Sequence, residues 1–372
     1  MLIATLVAVV WLSILLRTIS FDRQTERVAP SPGGEASLVS VYVPARDEAE
    51  VIERSVRGLL AQKAARVVIN DDGSTDATPE ILMRLSSDAR RSRGGSGDSI
   101  SFFTGSGPAS GECGKPAALA EAVKRSPPET PWLAFVDADV ILEPGALAAL
   151  VGLAQRADVD LVSVLPRLEL VTFVEELVMP SVGALVLARH PPRKVADPGS
   201  KVAFANGQLI LIKAELYSRI GGHRAVVSEV LEDVRLAELA KAAGGKLRVV
   251  DGRLLARTRM YASWTELREG WVKNLHLLLG RSVARSISTA LLTLAIGLSG
   301  IAALGLGVAG ACAYAVSLIS AAIVRQRIGA RPLFAFFAPL GAILTTWVIV
   351  ESLLSHARRG RVRWKGRDYA GG

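Results

Sequence analysis

Four stretches of this chain carry residue types and spacings suited to phosphate and proton chemistry. Asn70-Asp71-Asp72-Gly73-Ser74-Thr75-Asp76 places carboxylates directly after a short apolar run. Taken by itself it reads as a capped turn, in which Gly73 permits the bend and Ser, Thr and Asp suit a helix start. Asp137-Ala138-Asp139 follows the run Trp132–Val136. Carboxylates two apart in extended chain point the same way. Two hard oxygen donors on one side suit Mg²⁺ or Mn²⁺, with substrate phosphates completing the shell. Ser228-Glu229-Val230-Leu231-Glu232-Asp233-Val234 opens a helical pattern that runs to Ala243. The helix dipole favours acids there, and a carboxylate left free of metal can serve as a general base. Lys115, in Gly114-Lys115-Pro116, stands at a predicted helix start, where a phosphate would also meet backbone N–H groups. A solvated surface lysine is the plainer reading of that residue alone.

These residues need a scaffold, and the intervening sequence supplies one. Apolar runs at Leu38–Val43, Arg66–Ile69, Ser99–Phe103, Trp132–Val136 and Val159–Val164 read as strands. Helical patterns alternate with them at 48–62, 78–87, 115–125 and 144–156. The alternation predicts an α/β domain over 38–255, with a mostly parallel, Rossmann-like sheet covered by helices. In such sheets ligands sit beyond the carboxyl ends of the strands, where the acidic groups fall. Residues 20–37, with Pro30, Pro32, Gly33 and Gly34, read as a linker, and 86–98 (SSDARRSRGGSGD) as a low-complexity surface loop. No internal repeat is present.

The composition points to a membrane. Half of the residues are hydrophobic, 21% are charged and the mean hydropathy is +0.34, which excludes a disordered chain and exceeds that of an ordinary soluble one. Cys113 and Cys312 are too few for a disulfide framework or a four-cysteine zinc site. Residues 1–16 carry no charge and precede Arg17 and Arg23, so 1–19 reads as an N-terminal anchor; a signal peptide would begin with basic residues. Residues 286–324 hold no Asp, Glu, Lys or Arg in 39 positions, about twice one span, and fit two helices turning near Gly305–Gly310. Residues 333–355 form a further run, giving about three helices over 285–356. Glu351 near its end either snorkels to the interface, the simpler reading, or faces a partner helix. Residues 357–372 form a basic tail, with Arg358, Arg359, Arg361, Arg363, Lys365 and Arg367. Lys plus Arg exceed Asp plus Glu by 44 to 35, a net +9. This charge clusters beside apolar segments, which favours anionic lipid and argues against nucleic acid. Arg17 and Arg23 place the middle region in the cytoplasm of a multi-pass cell-membrane protein, yet three later spans would put the basic tail outside, against the positive-inside rule. A re-entrant or interfacial segment, or a misplaced boundary, would remove the conflict.

Residues 256–284 read as an amphipathic region. Trp264, Leu267, Trp271, Leu275 and Leu278 recur at threes and fours, with Arg268, Glu269 and Lys273 off the stripe. A helix lying in a membrane interface and a helix facing the α/β core both fit that pattern.

Taken in order, the motifs VYVPARDEAEVI (41–52), VINDDGSTD (68–76), GKPAALAEAV (114–123), FVDADVILEPGAL (135–147) and NGQLILIKAELYSRIGGHRAVVSEVLEDVRLA (206–237) resemble the family 2 inverting glycosyltransferases of GT-A fold. The Asn-Gly-Gln, Gly-Gly-His and Glu-Asp elements are most similar to the membrane-anchored, lipid-directed branch. That branch holds hopanoid-biosynthesis-associated and carotenoid-type glycosyltransferases and, more distantly, ceramide glucosyltransferases. The resemblance implies a metal-dependent transfer, with Mg²⁺ or Mn²⁺, from a nucleotide sugar (a UDP-sugar foremost) to a lipid acceptor. It implies that Pro44, Ala45 and Asp47 border the base and that Asp71 and Asp72 hold uracil and ribose. It sets Lys115 near the nucleotide, and gives Asp137 to ribose and metal with Asp139 as the metal ligand. Asp233 would deprotonate the acceptor hydroxyl with Glu232 orienting it, and Asn206, Gly207, Gln208, His223 and Trp271 would lie on the acceptor side; His223 equally suits a loop residue. The chain departs from the pattern Q/R-x-x-R-W of processive synthases and ceramide glucosyltransferases: it reads Leu267-Arg268-Glu269-Gly270-Trp271, so Arg268 or Lys273 would have to meet the leaving diphosphate. A processive polysaccharide synthase and a non-catalytic membrane scaffold are the competing readings.

Overall fold

Strands buried on both faces need unbroken apolar runs, and the centre of the α/β sheet shows them. In the computed structural model, which describes residues 1–92, 100–359, 361–364 and 367–370, Trp132–Val136 is buried along its whole length. The chain forms two compact units, one of residues 25–169 and 192–259, the other of 1–24, 170–191 and 260 onward.

The first unit is α/β. Its strands are β1 (Val39–Ala45), β2 (Arg66–Asp71), β3 (Ile100–Thr104), β4 (Trp132–Val136), β5 (Val140–Leu142), β6 (Leu161–Leu165), β7 (Arg167–Leu168), β8 (Leu209–Lys213), β9 (Leu247–Asp251) and β10 (Ala256–Thr258). Seven of them build one sheet in the order β3-β2-β1-β4-β8-β6-β9. β3, β2, β1 and β4 are parallel, whereas β8 runs antiparallel to both β4 and β6. A small second sheet, β5-β10-β7, lies beside it. Helices Ile52–Leu60, Gly114–Arg125 and Ala146–Arg156 fall where the sequence predicts helices. The expected loop at 86–98 begins late, because helix Thr78–Ser92 continues through its first half; residues 93–98 lie outside the described residues. The segment read as a linker is partly built in: Val28 N–H donates to Asp251 O at 3.1 Å and Ser31 N–H to Gly145 O at 3.2 Å.

The second unit is helical. Helix Phe173–Arg189, opened by a Thr172/Glu175 capping box, belongs here although it lies inside the 38–255 block. Among the described residues three segments are long and apolar enough to cross a membrane: Leu2–Gln24, Val283–Arg327 and Pro332–Arg358. The middle one is two helices, Val283–Ala303 and Gly307–Arg327, broken at Leu304–Leu306. Small residues allow the close packing that helices without a hydrophobic drive require. A Cβ on Gly300 would meet Ser317, one on Gly310 the carbonyl of Ala303, and one on Gly297 the Cβ of Ala342. The stripe 264–278 forms a helix, Trp264–Leu278, packed on helix Ala338–Arg359. Glu351 faces a partner rather than snorkelling: both its oxygens take hydrogen bonds from Arg268, one at 2.7 Å from Nε. Arg268, a candidate for the leaving diphosphate, is therefore already engaged. Gly270 has a packing reason, since a Cβ there would lie 2.7 Å from the Tyr261 ring. Of the basic tail, Arg358 and Arg359 finish a helix, and Arg361–Trp364 pairs antiparallel with Arg367–Ala370; Lys365 lies outside the described residues.

Candidate active site

Three parallel strands end at one edge of the large sheet, so the loops after β1, β2 and β4 gather there. β8 adds a fourth. Because it runs antiparallel to β4 in the register Val136↔Leu209, residues 206–208 return to the same edge, and Gln208 O accepts the Asp137 N–H at 3.1 Å.

The loops after β1 and β2 are tied to each other. Asp47 adopts a left-handed φ of 51°, and its Oδ1 accepts the Thr75 N–H at 2.7 Å. Asp47 N–H donates to Ser74 Oγ at 2.9 Å, and Glu48 N–H to Thr78 Oγ1 at 2.8 Å. The Ser74 hydroxyl donates to Asp71, whose carboxylate thus braces the turn, while Asp72 N–H donates to Ala45 O at 2.8 Å. Pro44 and Ala45 stand beside Asn70 and Asp71 in the parallel register. Pro44, Ala45, Asp47, Asp71 and Asp72 therefore form one cluster.

A second cluster centres on Lys115, at the start of helix Gly114–Arg125. Its Nζ lies 2.7 Å from Asp137 Oδ1, 3.1 Å from Glu232 Oε1 and 3.4 Å from Gly207 O. Asp233 Oδ2 accepts the Gly207 N–H at 2.7 Å and its Oδ1 the Val234 N–H at 2.8 Å. Glycine at 207 leaves room for the two charged groups, because a Cβ would come within 2.8 Å of Lys115 Nζ and 3.0 Å of Asp233 Oδ2 and force them to shift. Asp139 lies two residues along from Asp137, and its Oδ2 accepts from the Thr258 hydroxyl at 2.8 Å.

Electrostatics follow from one lysine among several carboxylates. Burial opposes the Lys115 charge, but Asp137, Glu232 and Asp233 together outweigh it and raise its pKa. Burial pushes Asp137 up to about 6, against the pull of Lys115 and with help from the Asp139 charge. Burial, then the charge of Glu232, pushes Asp233 up to about 7. Asp139 is raised as well, by burial and then by Glu48. Its negative potential is thus poorly compensated, which is the condition a hard cation relieves. Among the described residues no three His, Cys, Asp or Glu side chains form a closed metal cage. The donor set accordingly fits a cation that Asp139 and Asp137 hold in part and that phosphate oxygens complete.

The remaining expected residues are placed differently. Asn206 turns inward, with Nδ2 donating to Gln208 Oε1 at 2.9 Å and to Val164 O at 3.2 Å, so Asn206 and Gln208 brace the loop that carries Gly207. His223 is buried edge-on to Phe135 with Nδ1 2.9 Å from the Tyr217 hydroxyl, and burial, then the Lys115 charge, pushes its pKa down to about 3. Trp271 belongs to the helical unit, where its indole N–H points at Met179 Sδ at 3.3 Å. Thr258 and Glu48 escaped the sequence reading. Thr258 ends a three-residue strand with no motif around it, and Glu48 is one acid among several in 47–53.

Comparison with known proteins bears on this arrangement. Residues 40–175 match the family described as Glycosyl transferase family 2. The 4,4′-diaponeurosporenoate glycosyltransferase of Staphylococcus aureus strain USA300 is 25% identical over 387 residues, covering 98% of this chain and 97% of the relative. The same-named protein of strain MRSA252 is 25% identical over 384 residues, with 98% and 97% covered. A solved mannosyltransferase from Pyrobaculum calidifontis, in complex with GDP-Man and Mn²⁺, superposes with a TM-score of 0.55 at 18% identity over 96% of this chain and 98% of its own. That likeness shows the GT-A fold.

Proposed function

With a family 2 glycosyltransferase domain at residues 40–175, the chain is a glycosyltransferase, and we propose that it moves a sugar from a nucleotide-sugar donor, a UDP-sugar foremost, to a lipid acceptor in the cell membrane by one inverting displacement. The observation that carries this reading is the convergence of Asp137, Lys115, Glu232 and Asp233 around Gly207, with Asp139 alongside. The mannosyltransferase neighbour binds a nucleotide sugar, and the staphylococcal relatives are named for transfer to a lipid-like molecule, which supports both halves of the reaction. The apolar segments support a membrane-held acceptor, and Arg17 and Arg23 a cytoplasmic donor site.

The braced loops at 44–49 and 70–76 border the nucleotide base and ribose. Asp139 and Asp137 would hold a divalent cation, which when bound would supply positive charge against the departing diphosphate. Glu232 and Asp137 fix the Lys115 ammonium, and Lys115 in turn offsets the repulsion between their carboxylates. Gly207 N–H and Val234 N–H orient the Asp233 carboxylate. Asp233 then removes the proton of the acceptor hydroxyl as its oxygen attacks the anomeric carbon from the face opposite the leaving group, a contribution of about 10²–10⁴-fold. Gly270, backed by Tyr261, has no room for the arginine of the processive pattern, which favours single transfer over polymer synthesis.

The test is a panel of UDP- and GDP-sugars offered to purified protein with Mg²⁺ or Mn²⁺ and a membrane lipid extract, read by mass spectrometry. One hexose-sized increment on a lipid is the expected product. Absence of donor binding and of lipid product across the panel would remove the proposal, and a polymer would replace it with the processive reading.

A further inference from the structure

Packing inside the helical unit gives each apolar helix a direction. Beside helix Leu2–Gln24, Ala4 and Val7 pack with Ala303 and Ala313, and the Trp11 indole N–H donates to Ser299 Oγ at 3.1 Å. Asp22 Oδ2 accepts from Arg327 Nη1 at 2.8 Å. Arg23, Arg327 and the start of Val283–Ala303 therefore share one end, here the basic end. Met1 and the uncharged break Leu304–Leu306 share the other. Helix Ala338–Arg359 is ordered by its neighbours in the same way. Gly297 backs onto Ala338 and Ala342, the Thr346 hydroxyl donates to Ala290 O at 3.3 Å, and Ser352 accepts the His276 N–H at 2.9 Å. The His276 ring meets Ser286 Oγ at 2.9 Å. The partner numbers on Val283–Ala303 fall from 297 through 290 to 286 as this helix advances. It thus runs antiparallel to Val283–Ala303, which is the direction of Gly307–Arg327, toward the basic end. Its first turn starts at Gly297, six residues and about 9 Å short of the far end.

Two successive helices pointing the same way require a return passage between them. We infer that residues 328–359 form a re-entrant element that enters the bilayer from the basic end, turns through Pro332–Phe337 and leaves by the same end. The chain then crosses three times, and its basic tail lies on the face of Arg17, Arg23 and Arg327, where anionic lipid holds it.

A break in helical backbone at membrane depth is tolerated only where protein groups satisfy it. Here Arg325 and Glu176, 6% and 2% exposed, do so. Arg325 Nε donates to Arg331 O at 3.0 Å, its Nη2 to Glu176 Oε2 at 2.9 Å, and Glu176 Oε2 accepts the Arg331 N–H at 3.2 Å. Leu333, Phe336, Phe337, Leu340 and Ile343 are exposed on the element, an apolar surface that acyl chains would cover.

Sidedness tests this independently of sugar transfer. A short epitope is inserted after Gly305, after Gly329 or at the C-terminus of the full-length chain, and antibody access is compared in intact and permeabilised spheroplasts. Neither glycine has neighbours within 4 Å of an added Cβ, so both sites have room. The Gly329 and C-terminal epitopes are expected on one face and the Gly305 epitope on the other. A C-terminal epitope on the face of Gly305 would overturn the inference. If the Gly305 insertion does not accumulate, the Gly329 and C-terminal epitopes decide it: a shared face supports re-entry, and opposite faces refute it.

Discussion

Asp233 is the proposed base, and its environment would set its working range. Burial and the Glu232 charge push its pKa up to about 7, and the ionised form is the one that accepts a proton. The value of kcat/KM is therefore expected to fall about tenfold per pH unit below that point and to level off above it. Asp233→Asn should lower kcat by about 10²–10⁴-fold and erase this acid limb, while nucleotide binding measured by calorimetry stays near wild type. Lys115→Met tests the electrostatics from the other side. Without the ammonium only the Gly207 and Val234 N–H groups are left to offset burial and the neighbouring acid, so the acid limb should move to higher pH; an unmoved limb would show that Lys115 does not act on the base. Thr258 donates a hydrogen bond at 2.8 Å to Asp139, the proposed metal ligand. Thr258→Val should weaken Mn²⁺ binding by about 10–100-fold in an electron paramagnetic resonance titration with nucleoside diphosphate present. An unchanged titration would take Thr258 out of the metal site.

At the scale of elements, the loop before β8 decides how closely Lys115 and Asp233 can approach. Gly207→Ala inserts a methyl within 2.8 Å of Lys115 Nζ and 3.0 Å of Asp233 Oδ2. Small displacements of a positioned base cost about 10²-fold, so kcat should drop by that order while the thermal midpoint changes little. Parallel kinetics and thermal unfolding check this, and a fold-wide loss of stability would show that the glycine serves packing alone. The same loop marks the limit of what the sequence shows. β1, β2 and β4 are legible because buried parallel strands must be largely apolar, and the acidic turns after β2 and β4 stand out by contrast. The run Leu209–Lys213 is equally apolar, but its antiparallel direction, which returns Asn206, Gly207 and Gln208 to the Asp137 edge, depends on long-range pairing that no local pattern encodes. Thr258 is invisible for the same reason. The burial of His223 against Tyr217 is hidden too, because a buried ring and an exposed one leave the same letter in the sequence. Helix Phe173–Arg189 looks like part of the α/β block because its apolar face resembles any core helix.

At the scale of the whole chain, the polypeptide leaves the α/β unit at Leu170 and rejoins it at Pro192, and that excursion supplies Glu176 to the membrane-type helices. Glu176 and Arg325 neutralise each other while closing the backbone break that precedes Ala338–Arg359. A buried pair of this kind adds little over an apolar substitute, but breaking one half strands a charge. Arg325→Leu alone should therefore destabilise the detergent-solubilised protein by roughly 3–5 kcal/mol. The double variant Arg325→Leu, Glu176→Leu should recover a large part of that loss, since neither charge of the pair is left, though the Arg331 N–H would lose its acceptor on Glu176 and the Arg331 carbonyl one of its two donors. Thermal unfolding in matched detergent, followed by the fluorescence of the six tryptophans, measures both. If the double variant were as unstable as the single one, the pair would be acting as a hydrogen-bonded scaffold for the Arg331 backbone rather than as mutually neutralised charges, and Arg325→Lys, which keeps the charge but loses the fork, would then be equally damaging.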